Sequence, residues 1–191
     1  MKSNRILFTA TLILSVVCFV FSNRENHQVT QTIQTAGLFP TDEKKPVVVK
    51  VNYGSYNFSY TLLNGKKVSL SDFGGKIVLV NIWAPWCGPC KLETPGFVKL
   101  YEKYKEIGFE IVSVGVSTDE DAVKDFVKKY KITFPVGISD EVGTQYGTRG
   151  IPDNFLFSPD GKLVKHFSGY TEEKKLETAI NELLTPKPSK Q

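Results

Sequence analysis

Ile77 to Trp83 (IVLVNIW) is a seven-residue run with no charge and a single polar side chain, preceded by Gly74-Gly75-Lys76 and followed by Ala84-Pro85. A continuous apolar run of that length, rich in β-branched residues and bounded by turn formers, fits a strand buried on both faces. Such a strand needs structure above and below it, so the chain must build layers. Phe109 to Val116 (FEIVSVGV) is a second run of the same kind. Between them, Cys87 to Ile107 places Phe97, Tyr101 and Tyr104 at helical spacing, with Pro95 expected to kink the helix.

The flanking segments extend the pattern. Phe58 to Leu63 and Val68 to Leu70 surround Asn64-Gly65, a hairpin signal, and Val47 to Val51 is also β-rich. Ser117-Thr-Asp-Glu120 reads as a capping box opening a helix with Ala122, Val123, Phe126, Val127 and Tyr130 on one face. Phe155 to Phe157 and Lys162 to Phe167 form an antiparallel pair around Ser158-Pro-Asp-Gly161. Thr171 is expected to cap a last helix, with Glu172 and Glu173 at its positive end and Leu176, Ile180 and Leu183 in a stripe. The order predicts an α/β protein: a mixed central sheet with helices on both faces, and a β-hairpin before it.

At the N-terminus, Lys2 and Arg5 precede sixteen uncharged residues, Ile6 to Phe21. That is the layout of a signal peptide or a signal-anchor over residues 1–22, and both readings place the remainder outside the cytoplasm. Cys18 does not make a lipoprotein site, because Val17 stands where a small residue is needed. Residues 23–45 hold almost no large apolar side chains and read as a flexible linker, 46–185 as the domain, and 186–191 as a tail. Of 191 residues, 41% are apolar, enough for one packed domain. The net charge of +4 falls to +2 once Lys2 and Arg5 are set aside, which gives no support for nucleic-acid binding.

The chemistry is concentrated in Trp83-Ala-Pro-Trp-Cys-Gly-Pro-Cys90. Cys87 and Cys90 stand three apart where a buried strand runs into a helix, close enough for a disulfide. Cys87 falls at the helix N-terminus, where free N–H groups and the positive dipole end stabilise a thiolate. Cys90, one turn in, is shielded and suited to resolving a mixed disulfide. Zinc would require further ligands, and His27 and His166 are the only histidines. A purely structural disulfide closing so short a loop would stabilise little. Copper carriage by the cysteine pair and His166 stands as an alternative.

This segment resembles the thioredoxin superfamily, and within it the TlpA/ResA/DsbE-like extracytoplasmic thiol-disulfide oxidoreductases. The similarity runs from about Phe58 to Leu184 and rests on SLSDFGGKIVLVNIWAPWCGPCKLETP, on Gly150-Ile-Pro152 and on the PDG hairpin. It implies a thioredoxin-like fold and a Cys87/Cys90 dithiol-disulfide cycle. It implies further that Pro152 is a cis-proline beside the site, that Ile151 presents backbone groups to an incoming peptide, and that Trp86, Gly88 and Pro89 belong to the substrate-binding surface. Trp83 is expected in the core. Where thioredoxins usually carry a buried Asp, this chain has Asn81, and relatives resembling ResA place a carboxylate where Glu93 stands. Glu93 then has two readings, proton acceptor for Cys90 or solvated surface residue.

The resemblance implies protein clients bearing disulfides, with apocytochrome c as one candidate, and a membrane electron donor that restores the dithiol. The Gly88-Pro89 dipeptide leans the reading towards a reductant, against an oxidising, disulfide-forming alternative. No cofactor and no metal are expected. A monomer is expected, tethered by its N-terminus. A peroxidase reading fits poorly, because a Thr-x-x-Cys pattern is absent. His166, on an edge strand, is expected to face solvent.

Overall fold

The computed structural model describes residues 51–185. The leader, the 23–45 linker, the 186–191 tail and all of the Val47–Val51 segment except Val51 lie outside the described residues, and Val51 is not part of a strand. Two short strands, β1 (Ser59–Thr61) and β2 (Lys67–Ser69), pair antiparallel around Asn64-Gly65. The central sheet has the order β5-β4-β3-β6-β7, with β3 (Ile77–Trp83) in the middle. Its neighbours are β4 (Phe109–Gly115), parallel, and β6 (Asp153–Phe157), antiparallel. β5 (Val136–Ile138) pairs parallel with β4, and β7 (Leu163–Ser168) antiparallel with β6 at the far edge. The sheet is mixed, as expected.

All seven residues of β3 and all seven of β4 are buried. Successive side chains of a strand point to opposite faces. Ile77, Leu79 and Trp83 therefore join a core with Phe97 and Leu100 of α1 (Gly88–Tyr104), Val123 and Phe126 of α2 (Glu120–Tyr130), and Leu176 and Ile180 of α4 (Glu173–Leu184). Val78, Val80 and Ile82 face the other way, against the β1–β2 hairpin and Val142 of α3 (Asp140–Gln145). Helices thus lie on both faces.

β5 and α3 are absent from the sequence-based reading. β5 is three residues long with Gly137 at its centre, and α3 is six residues with Gly143 inside it, so neither carries a readable period. The proposed capping box is also corrected. Ser117 has φ 49°, whereas an N-cap residue is extended; Asp119 caps α2 instead, accepting the Ala122 N–H at 2.8 Å. Thr171 does not cap the last helix. Its N–H is given to Glu93, and α4 starts from Glu172, which makes no side-chain cap bond.

The hairpin is locked to the sheet edge through a close approach at Gly137. Leu63 N–H donates to Val136 O at 3.0 Å, and Leu62 bridges to Gly137. A Cβ on Gly137 would lie 2.6 Å from the Tyr60 ring and still closer to the Thr61 carbonyl. Gly137→Ala is therefore expected to destabilise the protein by about 1–3 kcal/mol through overpacking, read as a lower urea midpoint at unchanged slope.

Candidate active site

β3 runs directly into α1, and the junction carries the two cysteines. Cys87 is the N-cap residue of α1, extended at φ −73° and ψ 117°, and Pro89 lies in the first turn, where a missing N–H costs nothing. Cys87 and Cys90 are joined as a disulfide with a Cα–Cα distance of 5.3 Å. Cys87 Sγ accepts the Cys90 N–H at 3.2 Å, so a backbone donor at the helix start already points at this sulfur. That donor and the helix dipole would both favour a thiolate on Cys87 once the bond is reduced.

The antiparallel register of β6 brings the second part of the site to the same end of the sheet. Ile82 pairs with Asp153, so residues 151 and 152 fall beside the end of β3. The Ile151–Pro152 bond is cis, and Ile151 O lies 3.7 Å from Cys87 Sγ. Trp86 is 62% exposed, with its indole N–H held by Ser117 O at 3.0 Å. Trp86, Ile151, Gly150, Thr148 and Val116 line a groove of about 310 Å³ at the end of the sheet that carries the disulfide. Gly88 and Pro89 are exposed, and a Cβ on Gly88 would meet nothing within 4 Å, while Cys87 is 4% and Cys90 1% exposed. Trp86, Gly88 and Pro89 flank Cys87 along the chain, and the sheet brings Ile151 and Pro152 to the same end.

Glu93 is only 3% exposed, which removes the reading as a solvated surface residue. Three groups donate to its carboxylate: Asn81 Nδ2 at 3.3 Å to Oε1, Asn154 Nδ2 at 3.3 and 3.2 Å to the two oxygens, and Thr171 N at 3.1 Å to Oε2. Burial pushes the Glu93 carboxyl up to about 7, against the lowering effect of the hydrogen bonds from Thr171, Asn154 and Asn81. Such a group changes charge near neutral pH, where a thiol's proton has to be handled.

Sequence reasoning missed Asn154 and Ser113. Both pair in register with Asn81, so Ser113, Asn81 and Asn154 form a polar row across β4, β3 and β6 on the face beneath α1. The signal was available, because each is the lone polar residue facing that side of a strand otherwise apolar there. His166 stands on the edge strand β7, half-exposed, but it is not free: its Nε2 lies 2.6 Å from Asp153 Oδ1 and its ring stacks on Phe155. Among the described residues, no cluster of three or more His, Cys, Asp or Glu side chains is arranged to hold a metal ion.

The redoxin family model matches residues 41–181, a span that contains both cysteines, Glu93 and the cis-proline. The chain belongs to the redoxin family. Within that family it is similar to thiol-disulfide oxidoreductase ResA of Bacillus cereus, at 36% identity over 96% of this chain and 99% of the relative. ResA of Bacillus subtilis is 39% identical over 65% of this chain and 71% of its own length. Among solved structures, a thioredoxin-family thiol:disulfide interchange protein from Chlorobium tepidum superposes with a TM-score of 0.64 at 26% identity, covering 68% of this chain and 94% of that one. StoA from Bacillus subtilis superposes at 0.57 and 26% identity, over 66% of this chain and 98% of its own. This redoxin is a thiol-disulfide oxidoreductase with a thioredoxin-like fold.

The raised Glu93 value has a measurable thermodynamic consequence. The folded state holds a proton on Glu93 that the unfolded chain releases near its ordinary 4.5, so Glu93's contribution to stability falls as pH rises from 4.5 to about 7 and is flat above. The loss is on the order of 3 kcal/mol. Glu93→Gln is expected to abolish that slope and to be the more stable protein at pH above 7, checked by urea unfolding across the pH range.

Proposed function

We propose that this redoxin works outside the cytoplasm as a reductant of disulfides in exported protein clients. Cys87, as thiolate, attacks one client sulfur; the client S–S bond breaks, and its second sulfur leaves as a thiolate. A Cys87–client mixed disulfide results. Glu93 takes the proton from Cys90, and the Cys90 thiolate attacks Cys87 Sγ, releasing the client's remaining sulfur and closing the Cys87–Cys90 disulfide. Two electrons pass from enzyme to client. A dithiol donor in the membrane then returns the enzyme to its reduced form.

The observation that carries this reading is the asymmetry of the two cysteines: Cys87 caps α1 beside an open groove, while Cys90 lies one turn deeper on the same helix as the buried Glu93. Trp86 and Ile151, both lining the groove, supply a flat apolar contact and a backbone carbonyl for an extended client segment, with Gly88 and Pro89 exposed next to Cys87. The Gly88-Pro89 dipeptide and the similarity to ResA support the reducing direction and a client such as apocytochrome c with an oxidised haem-attachment pair. The apolar stretch Ile6–Phe21 supports export, and tethering to the membrane by residues 1–22 with 23–45 as linker to the domain at 46–185. The enzyme acts as a monomer in this reading.

The cycle is tested by trapping. With an oxidised Cys-x-x-Cys-His peptide, Cys90→Ser is expected to accumulate a peptide–Cys87 mixed disulfide, visible by mass spectrometry. Cys87→Ser is expected to form none and to reduce nothing. Glu93→Gln is expected to slow resolution of the mixed disulfide by roughly 10²-fold near neutral pH while leaving its formation intact. Trapping through Cys90 in the Cys87 variant would reverse the assignment of roles.

A further inference from the structure

The polar row beneath α1 has a direction, and the direction ends at Glu93. Trp83 Nε1 is a donor only, and it gives its N–H to Ser113 Oγ at 2.6 Å. Ser113 has a single hydroxyl proton, which goes to Asn81 Oδ1 at 3.3 Å. With its oxygen accepting, Asn81 turns its NH₂ outward, to Asn154 Oδ1 at 2.8 Å and to Glu93 Oε1 at 3.3 Å. Asn154, accepting from Asn81 on its own oxygen, turns its NH₂ to both Glu93 oxygens and to Thr171 Oγ1 at 3.2 Å. Reversing either amide would set two donors or two acceptors against one another at a buried contact, at the cost of an unsatisfied group.

We propose that Asn154 and Asn81 are positioning residues of the thiol-disulfide exchange: a one-way hydrogen-bond chain starting at Trp83 fixes their N–H groups on Glu93 and holds it as the acceptor for the Cys90 proton. Two side-chain amides from β3 and β6, together with the Thr171 backbone N–H, donate to the carboxylate and no acceptor from those strands reaches it, so the chain favours the anion and leaves Glu93 to seek its proton from α1. The proposal rests on the reading of Glu93 as that acceptor. Other ionisable groups on the packed elements do not compete. Asp153 is on the opposite face of β6 with Thr148 and His166, and Glu173 at the start of α4 is paired with Lys99. On the buried face of α1, Cys90 lies one turn from Glu93, Tyr104 at the far end is bonded to Glu177 and Asn181, and Lys91 is exposed. The chain also gives a reason for Asn at position 81: an Asp there would set a second carboxylate against Glu93 and could not donate.

The test is the pH profile of peptide-disulfide reduction in the full chain, measured from about pH 5 to 9 together with the Glu93 carboxyl midpoint by ¹³C NMR. Asn154→Leu removes donors to both oxygens. It is expected to raise the Glu93 midpoint, and with it the acid limb of the profile, by about one pH unit, a roughly tenfold loss of rate on that limb that is recovered at high pH. Asn154→Thr keeps a hydroxyl donor and is expected to recover part of the shift. Ser113→Ala touches neither Glu93 nor a cysteine, yet releases Asn81 to turn over, and is expected to move the midpoint in the same direction by less. Should Asn154→Leu not fold, Asn154→Thr and Ser113→Ala carry the test. An unmoved Glu93 midpoint in these variants overturns the proposal. A Glu93→Gln enzyme that keeps the wild-type acid limb overturns the acceptor role instead, and the NMR midpoints still report whether the chain acts on Glu93.

Discussion

Burial of β3 on both faces is the constraint on which the rest of the molecule depends, because it leaves the end of that strand a single place to be. Its seven residues pair on one side with β4, five of them (Val78 to Ile82) pair on the other with β6, and the apolar side chains divide between two cores. The strand cannot slide by one residue without exchanging the two faces. Its last residue, Trp83, is therefore fixed, and so is Cys87, the N-cap of α1, four residues on. The β3–β6 register then sets Ile151 and Pro152 against the same point. Cys87 meets the Ile151 carbonyl not because of anything in the loop alone, but because two strands that hold it are pinned by packing.

A carboxylate buried in that arrangement is a cost to folding that the surrounding donors offset only in part. Desolvation outweighs three hydrogen-bonding partners at Glu93 and carries it up to about 7. A buried acid whose carboxyl is pushed up to about 7 is a liability to folding above that pH, and its presence beside the cysteine helix points to the reaction. The neighbours fit that view. Asn81, Asn154 and Ser113 interrupt three otherwise apolar strand faces at the same level of the sheet, and all of them face the helix that bears the cysteines.

Much of this could be read from the sequence where a period was long or a turn was punctuated. The IVLVNIW strand appears with the boundaries expected of it, the Asn64-Gly65 and Ser158–Gly161 turns each join antiparallel strands, and the cysteine pair sits at the strand–helix junction. What escaped was set by tertiary contact. β5 is a strand because it lies beside β4 and under Leu62 and Leu63, not because Val136-Gly137-Ile138 has a strong preference. Ser117 carried the composition of a cap, but its backbone is left-handed and its N–H is taken by Asp140 Oδ1 at 2.6 Å. Thr171 likewise had the right chemistry for an N-cap and was taken up by the Glu93 network. Glu93 itself was ambiguous in sequence, since helical spacing from Cys90 gives a face without giving its burial.

The account stands or falls on the direction in which the Cys87–Cys90 pair moves electrons, and the most direct measurement is its equilibrium reduction potential. Trp83 in the core and Trp86 next to Cys87 supply a fluorescence signal for the titration against a glutathione or dithiothreitol buffer. A value near or below roughly −200 to −270 mV, the range of glutaredoxins and thioredoxin, is the result expected of a reductant recharged by a dedicated donor. A value near about −120 mV, that of a strong oxidant, would contradict it and make this redoxin a source of disulfides for its clients.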